Sequence, residues 1–371
     1  MRASCVIVAH EGRIMTLQTD PTAPAISARV RALFPWREVV VPWLVSRTLA
    51  ASLISVFAWT SSRSQPFGGF AKWDGGWYTH ISRFGYGPPP TEGVDSTWPF
   101  FPLLPGLMRG FEEIGLGDRL GIVALNQLLF LVALAGVWRL ARRHVADRPA
   151  ALAVWALALF PGAFVFSMIY PSSLFLAASV WAFVFAEERH DITAAVTVAA
   201  AALVRPNGIV VAIALVLVLR AWRRIAAVCL PAVILVVTWC ALCWHWTGDP
   251  FVFYTAKAAW PEVTIVELVR HWPRYAIPHA VLGIAALTAV WFRRRTLPIA
   301  HTAFAVLYLV PTLGLGIVGL GRYANECFPP YLAVGDILAR LRRRTLAFVF
   351  AASIAAEALC AWWVIDESHL P

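Results

Sequence analysis

The chain has 371 residues, 60% of them hydrophobic and only 14% charged, with a formal net charge of +10. A soluble domain carries roughly 25% charged residues, so the composition excludes an ordinary globular protein and points to a chain that hides apolar surface in lipid. The positive charge does not form a nucleic-acid-binding stripe: it falls in short clusters between apolar runs, around Arg31, Arg142, Arg223, Arg294 and Arg343, as in the cytoplasmic loops of a membrane protein.

Residues 1–37 lack the compact apolar core and small-residue cleavage site of a signal peptide. They read as a disordered cytoplasmic tail, or as an over-extended start of the reading frame. A transmembrane domain over residues 38–366 follows. A spanning helix needs ~20 apolar residues, and stretches of that kind lie at 39–59, 120–140, 150–168, 171–187, 225–246, 276–292, 297–318 and 345–365. Shorter candidates lie at 192–204, 208–220 and 326–339. The expected fold class is an all-α polytopic membrane protein with about 9–11 transmembrane or re-entrant helices.

Orientation follows from the arginines. With the N-terminus inside, loop 60–119 is exterior and the cluster around Arg142 returns inside. The stretch 192–220 is interrupted at Arg205-Pro206-Asn207-Gly208, where Pro and Gly stop a helix. Two full spans there would put Arg220–Arg224 outside. A re-entrant hairpin keeps every strong basic cluster on one side and makes 247–275 a second exterior loop.

Both exterior loops are rich in Trp, Phe, Tyr and Pro. Within the first, Trp73, Trp77, Ile81 and Phe84 recur with helical spacing, which predicts an amphipathic helix lying in the membrane plane. A second such helix is expected to start at Pro102. The six cysteines have no zinc-site spacing and read as buried apolar thiols. No internal repeat is visible, which weakens a transporter built from duplicated halves.

Asp74 is the carboxylate that needs explaining. It sits among tryptophans beside the first apolar run. By position it either caps the predicted helix or does chemistry. Arg322-Tyr323, after an apolar run, is either an interfacial snorkelling pair or an anion site. Arg205 either satisfies broken-helix carbonyls or binds the same anion. Arg47 is open between a structural partner and a substrate contact. Asp249 reads as a turn residue and Glu357 as a helix–helix hydrogen-bonding group.

Several motifs share one family. Trp73-Asp74-Gly75-Gly76-Trp77-Tyr78, Gly85-Tyr86, Phe100-Phe101-Pro102-Leu103-Leu104-Pro105, Tyr170-Pro171-Ser172-Ser173-Leu174-Phe175, Arg205-Pro206-Asn207-Gly208, Trp246-Thr247-Gly248-Asp249-Pro250-Phe251 and Arg322-Tyr323 occur in this order. Together they resemble the PIG-V (GPI mannosyltransferase 2-like) membrane mannosyltransferases and their prokaryotic relatives, from about residue 40 to about residue 340. Relatives commonly carry an acidic residue where Ser172 stands.

The resemblance implies a GT-C type glycosyltransferase. It would move a mannosyl or related residue from a polyprenyl-phosphate donor to a glycolipid or glycan acceptor on the exterior face, with inversion. Asp74 would be the base. Inverting transfer needs one base on the acceptor hydroxyl and cations on the departing phosphate. Donor-phosphate candidates are Arg322, Tyr323, Arg205 and His271, with Arg83, Arg270, Arg274 and Lys257 as alternatives. Trp73, Trp77, Tyr78, Phe101 and Tyr170 are candidates for the acceptor or lipid groove.

No carboxylate pair is spaced like a DxD metal site. Exterior Glu92, Asp95, Glu262 and Glu267 are weak cation candidates, and no cofactor or divalent metal is expected. Expected partners are membrane lipids, the donor and the acceptor, and no nucleic acid. The expected location is the plasma membrane if the protein is prokaryotic. The alternatives are a lipid or sugar transporter or flippase, and an inactive accessory subunit of a glycosylation complex.

Overall fold

The computed structural model describes residues 9–10, 13–14, 35–60, 68–91, 94–259, 263, 265–271 and 276–365. Residues 1–36 form one compact unit and 37–371 another. In the first, Ala9–His10 and Arg13–Ile14 pair as short antiparallel strands, and residues 1–8, 11–12 and 15–34 lie outside the described residues.

The larger unit is helical. A π-helical turn, Trp36–Val40, runs into α1 (Val41–Thr60). There follow α2 (Asp74–Phe84), α3 (Leu103–Glu113), α4 (Asp118–His144), α5 (Asp147–Ala158), α6 (Ser172–Glu187), α7 (Asp191–Val204), α8 (Ile209–Leu219) and α9 (Trp222–Thr247). The second half holds α10 (Val252–Thr255), α11 (Ile265–His271), α12 (Ala276–Arg293), α13 (Ile299–Leu315), α14 (Leu320–Glu326), α15 (Pro329–Leu338) and α16 (Arg343–Ile365). Among the described residues, five helices are long and apolar enough to cross a membrane: Trp36–Trp59, Asp118–His144, Trp222–Thr247, Ala276–Arg293 and Arg343–Val364. The chain is an all-α integral membrane protein.

The expected span at 150–168 does not form. Helix α5 ends at Ala158, because Phe160-Pro161-Gly162 follows, and the residue before a proline is disfavoured in the α region. A 3₁₀ turn, Ala163–Ser167, then carries the chain to α6. The stretch 297–318 likewise yields α13 and a separate 3₁₀ turn, Ile317–Gly319. The last short candidate, 326–339, forms α15.

The interruption at 205–208 makes a hairpin. Helices α7 and α8 rise roughly 21 and 16 Å at 1.5 Å per residue, each short of a ~30 Å hydrocarbon core. Their outer ends are tied by Arg224, just beyond α8, whose Nη2 lies 2.6 Å from Asp191 Oδ1. Gly208 makes the tip possible: a Cβ there would lie 1.9 Å from the Ala201 carbonyl oxygen.

Ion pairs sort the bundle into two ends. At one end, Arg139 and Arg143 hold Glu188, Arg224 holds Asp191, and Arg293 and Arg340 hold Asp336. The basic clusters flanking different apolar runs thus gather at the same end. The motif residues gather at the other.

Candidate active site

The site begins where α2 begins. Trp73 occupies the N-cap with φ 53°, and no side chain caps the helix. Asp74 is the first helical residue, so its carboxylate is not the cap. Its Oδ2 accepts from Arg322 Nη1 at 2.5 Å. The Asp74 backbone N–H donates to the Tyr170 hydroxyl at 3.3 Å.

Helix α2 does not bury the face its sequence suggested. Gly75, Tyr78, Thr79, Ile81 and Ser82 are buried, while Trp73 and Phe84 are exposed and Trp77 is half-buried with its ring stacked on Phe100. Small and polar residues make the protein contact because α2 lies close against the chain at Ile169, whose N–H donates to the Phe70 carbonyl. Of the predicted stripe only Ile81 turns inward. The opposite end of α2 is fixed by Arg83, which donates from Nε and Nη2 to Asp118 at 2.7 and 3.0 Å. That bidentate bond raises the Arg83 pKa.

Arg322 lies on α14. Its guanidinium sits 5.2 Å from the Tyr170 ring centroid and 5.8 Å from that of Tyr323. Burial works against its charge, but Asp74, Tyr170, Tyr323 and Glu326 together outweigh burial and hold the pKa well above its ordinary value. Its Nε is buried without a hydrogen-bond partner, leaving one donor for another acceptor.

One turn along α14, Glu326 is fully buried. It takes Arg205 Nη2 at 2.6 Å on Oε1 and the Tyr308 hydroxyl at 3.0 Å on Oε2. The Ser172 hydroxyl also donates to Oε1. Arg205, at the hairpin tip, lies 5.2 Å from the Tyr323 ring. Burial would raise the Tyr323 phenol. Lys257, Arg205 and Arg322 together overcome burial and pull it below its ordinary value. The surroundings of Tyr323 are therefore electropositive. Tyr78 and Tyr170, buried beside the same charges, are pushed up chiefly by burial.

The structure thus brings together Asp74, Tyr78, Tyr170, Arg205, Arg322 and Tyr323, with Lys257 in electrostatic range. It does not bring in His271, which is exposed at the end of α11, nor Arg83, which Asp118 engages. Phe101 packs instead with Trp239 and Phe253 at 6.0 and 5.2 Å. Trp73 directs its indole N–H to the Val364 carbonyl at 3.1 Å. Arg270 is exposed on α11. Glu92, Glu262, Arg274 and the Glu267 side chain lie outside the described residues.

Contacts decide two further readings. Arg47 is structural: it donates to Ser167 Oγ at 2.7 Å and the Ala163 carbonyl at 2.9 Å, and covers the Phe130 ring. Asp249 is a turn residue, accepting from the Phe251 N–H at 2.8 Å and the Thr255 hydroxyl at 2.6 Å. Glu357 is fully buried on α16 within the electrostatic reach of Arg47, but neither carboxylate oxygen has a hydrogen-bond partner among the described residues, so the expected helix–helix hydrogen bond is not formed.

Glu326, Tyr308 and His279 were missed in the sequence. A carboxylate inside an apolar region is itself a signal, and Glu326 is one. His279, on α12, has both ring nitrogens buried without partners. It lies against Gly321, where a Cβ would fall 2.9 Å from His279 Nδ1.

No protein-family model matches the chain, and no curated protein matches it. Among solved structures it is similar to the Archaeoglobus fulgidus oligosaccharyltransferase tethered to an acceptor peptide, at 14% identity and TM-score 0.49, over 90% of this chain and 55% of that one. The same enzyme in the apo form gives 14% identity and TM-score 0.49 over 91% and 56%. A third structure, the archaeal oligosaccharyltransferase AglB from Archaeoglobus fulgidus with an inhibitory peptide and a dolichol-phosphate, gives 13% and 0.46 over 89% and 55%. The chain spans little more than half the length of these structures.

Proposed function

We propose that the protein is a GT-C type integral-membrane glycosyltransferase of PIG-V-like character. It moves a mannosyl or related residue from a polyprenyl-phosphate donor to a glycolipid or glycan acceptor on the exterior face. The observation that carries this reading is the Asp74–Arg322 contact, a carboxylate on the exterior-loop helix held against an arginine beside a second arginine and a lysine.

The chemistry follows from that set. Asp74 takes the proton of the acceptor hydroxyl as its oxygen bonds to the anomeric carbon. The bond from that carbon to the phosphate oxygen breaks, and the polyprenyl phosphate leaves with the electron pair. Its negative charge is met by Arg322 and Lys257, with Arg205 and Tyr323 behind them. Inversion requires the attacking oxygen and the leaving phosphate on opposite faces of the sugar. A base and a phosphate cation in direct contact cannot flank a sugar ring, so the Asp74–Arg322 contact belongs to the substrate-free state. Donor phosphate, engaging the unpartnered Nε of Arg322, draws the guanidinium off Asp74 and frees the carboxylate.

The acidic residue common among relatives at position 172 is replaced here by a serine whose hydroxyl reaches Glu326. Glu326 supplies a carboxylate to the same region from another helix.

The test is transfer of labelled mannose from a synthetic polyprenyl-phosphate-mannose by membranes with and without the protein, with mass spectrometry of the lipid-linked product. Protein-dependent product that disappears in Asp74→Asn is the expected result. Equal transfer by membranes lacking the protein would remove the assignment.

A further inference from the structure

At the basic end of the bundle three side chains from three helices converge on one point. His144 ends α4, Glu187 ends α6, and His301 lies in the first turn of α13. His144 Nε2 is 3.2 Å from Glu187 Oε2, and His301 Nε2 is 3.1 Å from Glu187 Oε1. One ligand-type atom from each of the three lies within 4.8 Å of the others. Ligands at ~2.0–2.1 Å from a tetrahedral metal stand roughly 3.3 Å apart, and each imidazole nitrogen already stands at about that distance from a Glu187 oxygen, His144 Nε2 from Oε2 and His301 Nε2 from Oε1.

We propose that His144, Glu187 and His301 bind a divalent d-block cation of the zinc type. Two imidazoles and one carboxylate suit a borderline-soft ion and not magnesium or calcium, which take oxygen ligands. The surroundings give the site one closed and one open side. His301 is fully buried, its ring edge-packed against Phe183 at 5.2 Å and Phe328 at 5.4 Å. His144 is partly exposed and lines a cavity of about 270 Å³ together with Leu297, Leu332, Arg293 and Asp336. A fourth ligand, water or a small anion, has room to enter from there.

Of the opposing charges nearby, Arg143 has its Nη1 3.9 Å from Glu187 Oε2 and its other terminal nitrogen engaged by Glu188, and Arg293 is held by Asp336.

The site is separate from the Asp74 cluster. Ser172 and Glu187 stand at opposite ends of α6, roughly 22 Å apart at 1.5 Å per residue. The ion therefore acts as a clamp on three helix ends and takes no part in glycosyl transfer. The alternative is a carboxylate bridging two imidazole N–H groups by hydrogen bonds alone, which fits the same distances. Metal binding separates the two.

The experiment uses the full chain in detergent, freed of any histidine tag and treated with chelator, then titrated with Co²⁺. Expected are the visible d–d bands of a low-coordinate Co²⁺ complex saturating at one equivalent per chain and displaced by Zn²⁺. Zinc at a hundredfold above its Kd should raise Tm by about 5 °C. His144→Ala and Glu187→Gln should lose the bands and the zinc-dependent shift, and His144→Ala, altering a partly exposed side chain, should stay folded. A folded wild-type chain that gives no bands, or equal binding by both variants, would overturn the site and leave the hydrogen-bonded bridge.

Discussion

Asp74 and Arg322 are 248 positions apart in the sequence and joined by a 2.5 Å ion pair, with 21% and 17% of their side chains exposed. The contact binds α2 to the second half of the bundle. It also replaces one ambiguity with another. The carboxylate does not cap α2, since Trp73 holds that position, but a base and a structural ion-pair partner would each be lost in the same single variant.

A double-mutant cycle separates the two. Asp74→Asn leaves Arg322 poorly compensated in a half-buried place and should cost about 2 kcal/mol of stability, below the 3–5 of a fully buried pair. Adding Arg322→Gln should recover most of that loss, because no unpaired charge remains. Transfer activity should fall ~10²–10⁴-fold in Asp74→Asn and stay down in the double variant. A double variant as active as Arg322→Gln alone would make Asp74 structural.

Glu326 is a sharper case, because it is fully buried and anchors Arg205, Ser172 and Tyr308 at once. Glu326→Gln should destabilise the protein by roughly 3–5 kcal/mol by stranding Arg205, read as a lowered Tm in detergent. Combining it with Arg205→Met should restore a large part of the Tm and leave transfer impaired. A Tm in the single variant equal to that of the wild type would show that Arg205 finds another partner.

How much of this was legible follows from the range of each interaction. The hairpin at 205–208 could be read because proline and glycine act on their own backbone, and the positive-inside count needs no tertiary contact. The basic clusters around Arg142, Arg223, Arg294 and Arg343 do share one end. The α2 helix was legible from spacing, but its buried face was not. In a membrane protein the tryptophan and phenylalanine stripe is free to face outward, and the small residues Gly75 and Ser82 make the close contact. The partners of Asp74, Arg205 and Ser172 lie on α14, more than a hundred positions away, where no local pattern reports them.

Orientation can be tested by cysteine labelling. Thr91 lies in the exposed part of the first loop and Arg344 on the exposed start of α16. Five cysteines among the described residues are free and buried or half-buried, which keeps background low. In intact cells a membrane-impermeant maleimide should label Thr91→Cys and reach Arg344→Cys only after permeabilisation. The reverse pattern would put the basic end outside and move the proposed active site to the cytoplasmic face.

The hairpin tip offers the most stringent structural prediction. Gly208 has an ordinary helical backbone, so its requirement is for space and not for a positive φ. A methyl group there would stand 1.9 Å from the Ala201 carbonyl oxygen and 2.9 Å from Ala202 Cα. Both are backbone atoms, so no side-chain rotation relieves the overlap, and α7 must move away from α8. Overpacking of this kind costs typically ~1–3 kcal/mol and more where backbone must shift. The displacement would also carry Arg205, three residues before the glycine, away from Glu326. Gly208→Ala should therefore lower both Tm and transfer, whereas Asn207→Ala, a half-buried neighbour, should affect Tm far less. Equal Tm values for the two variants would mean that the tip is looser than its packing shows.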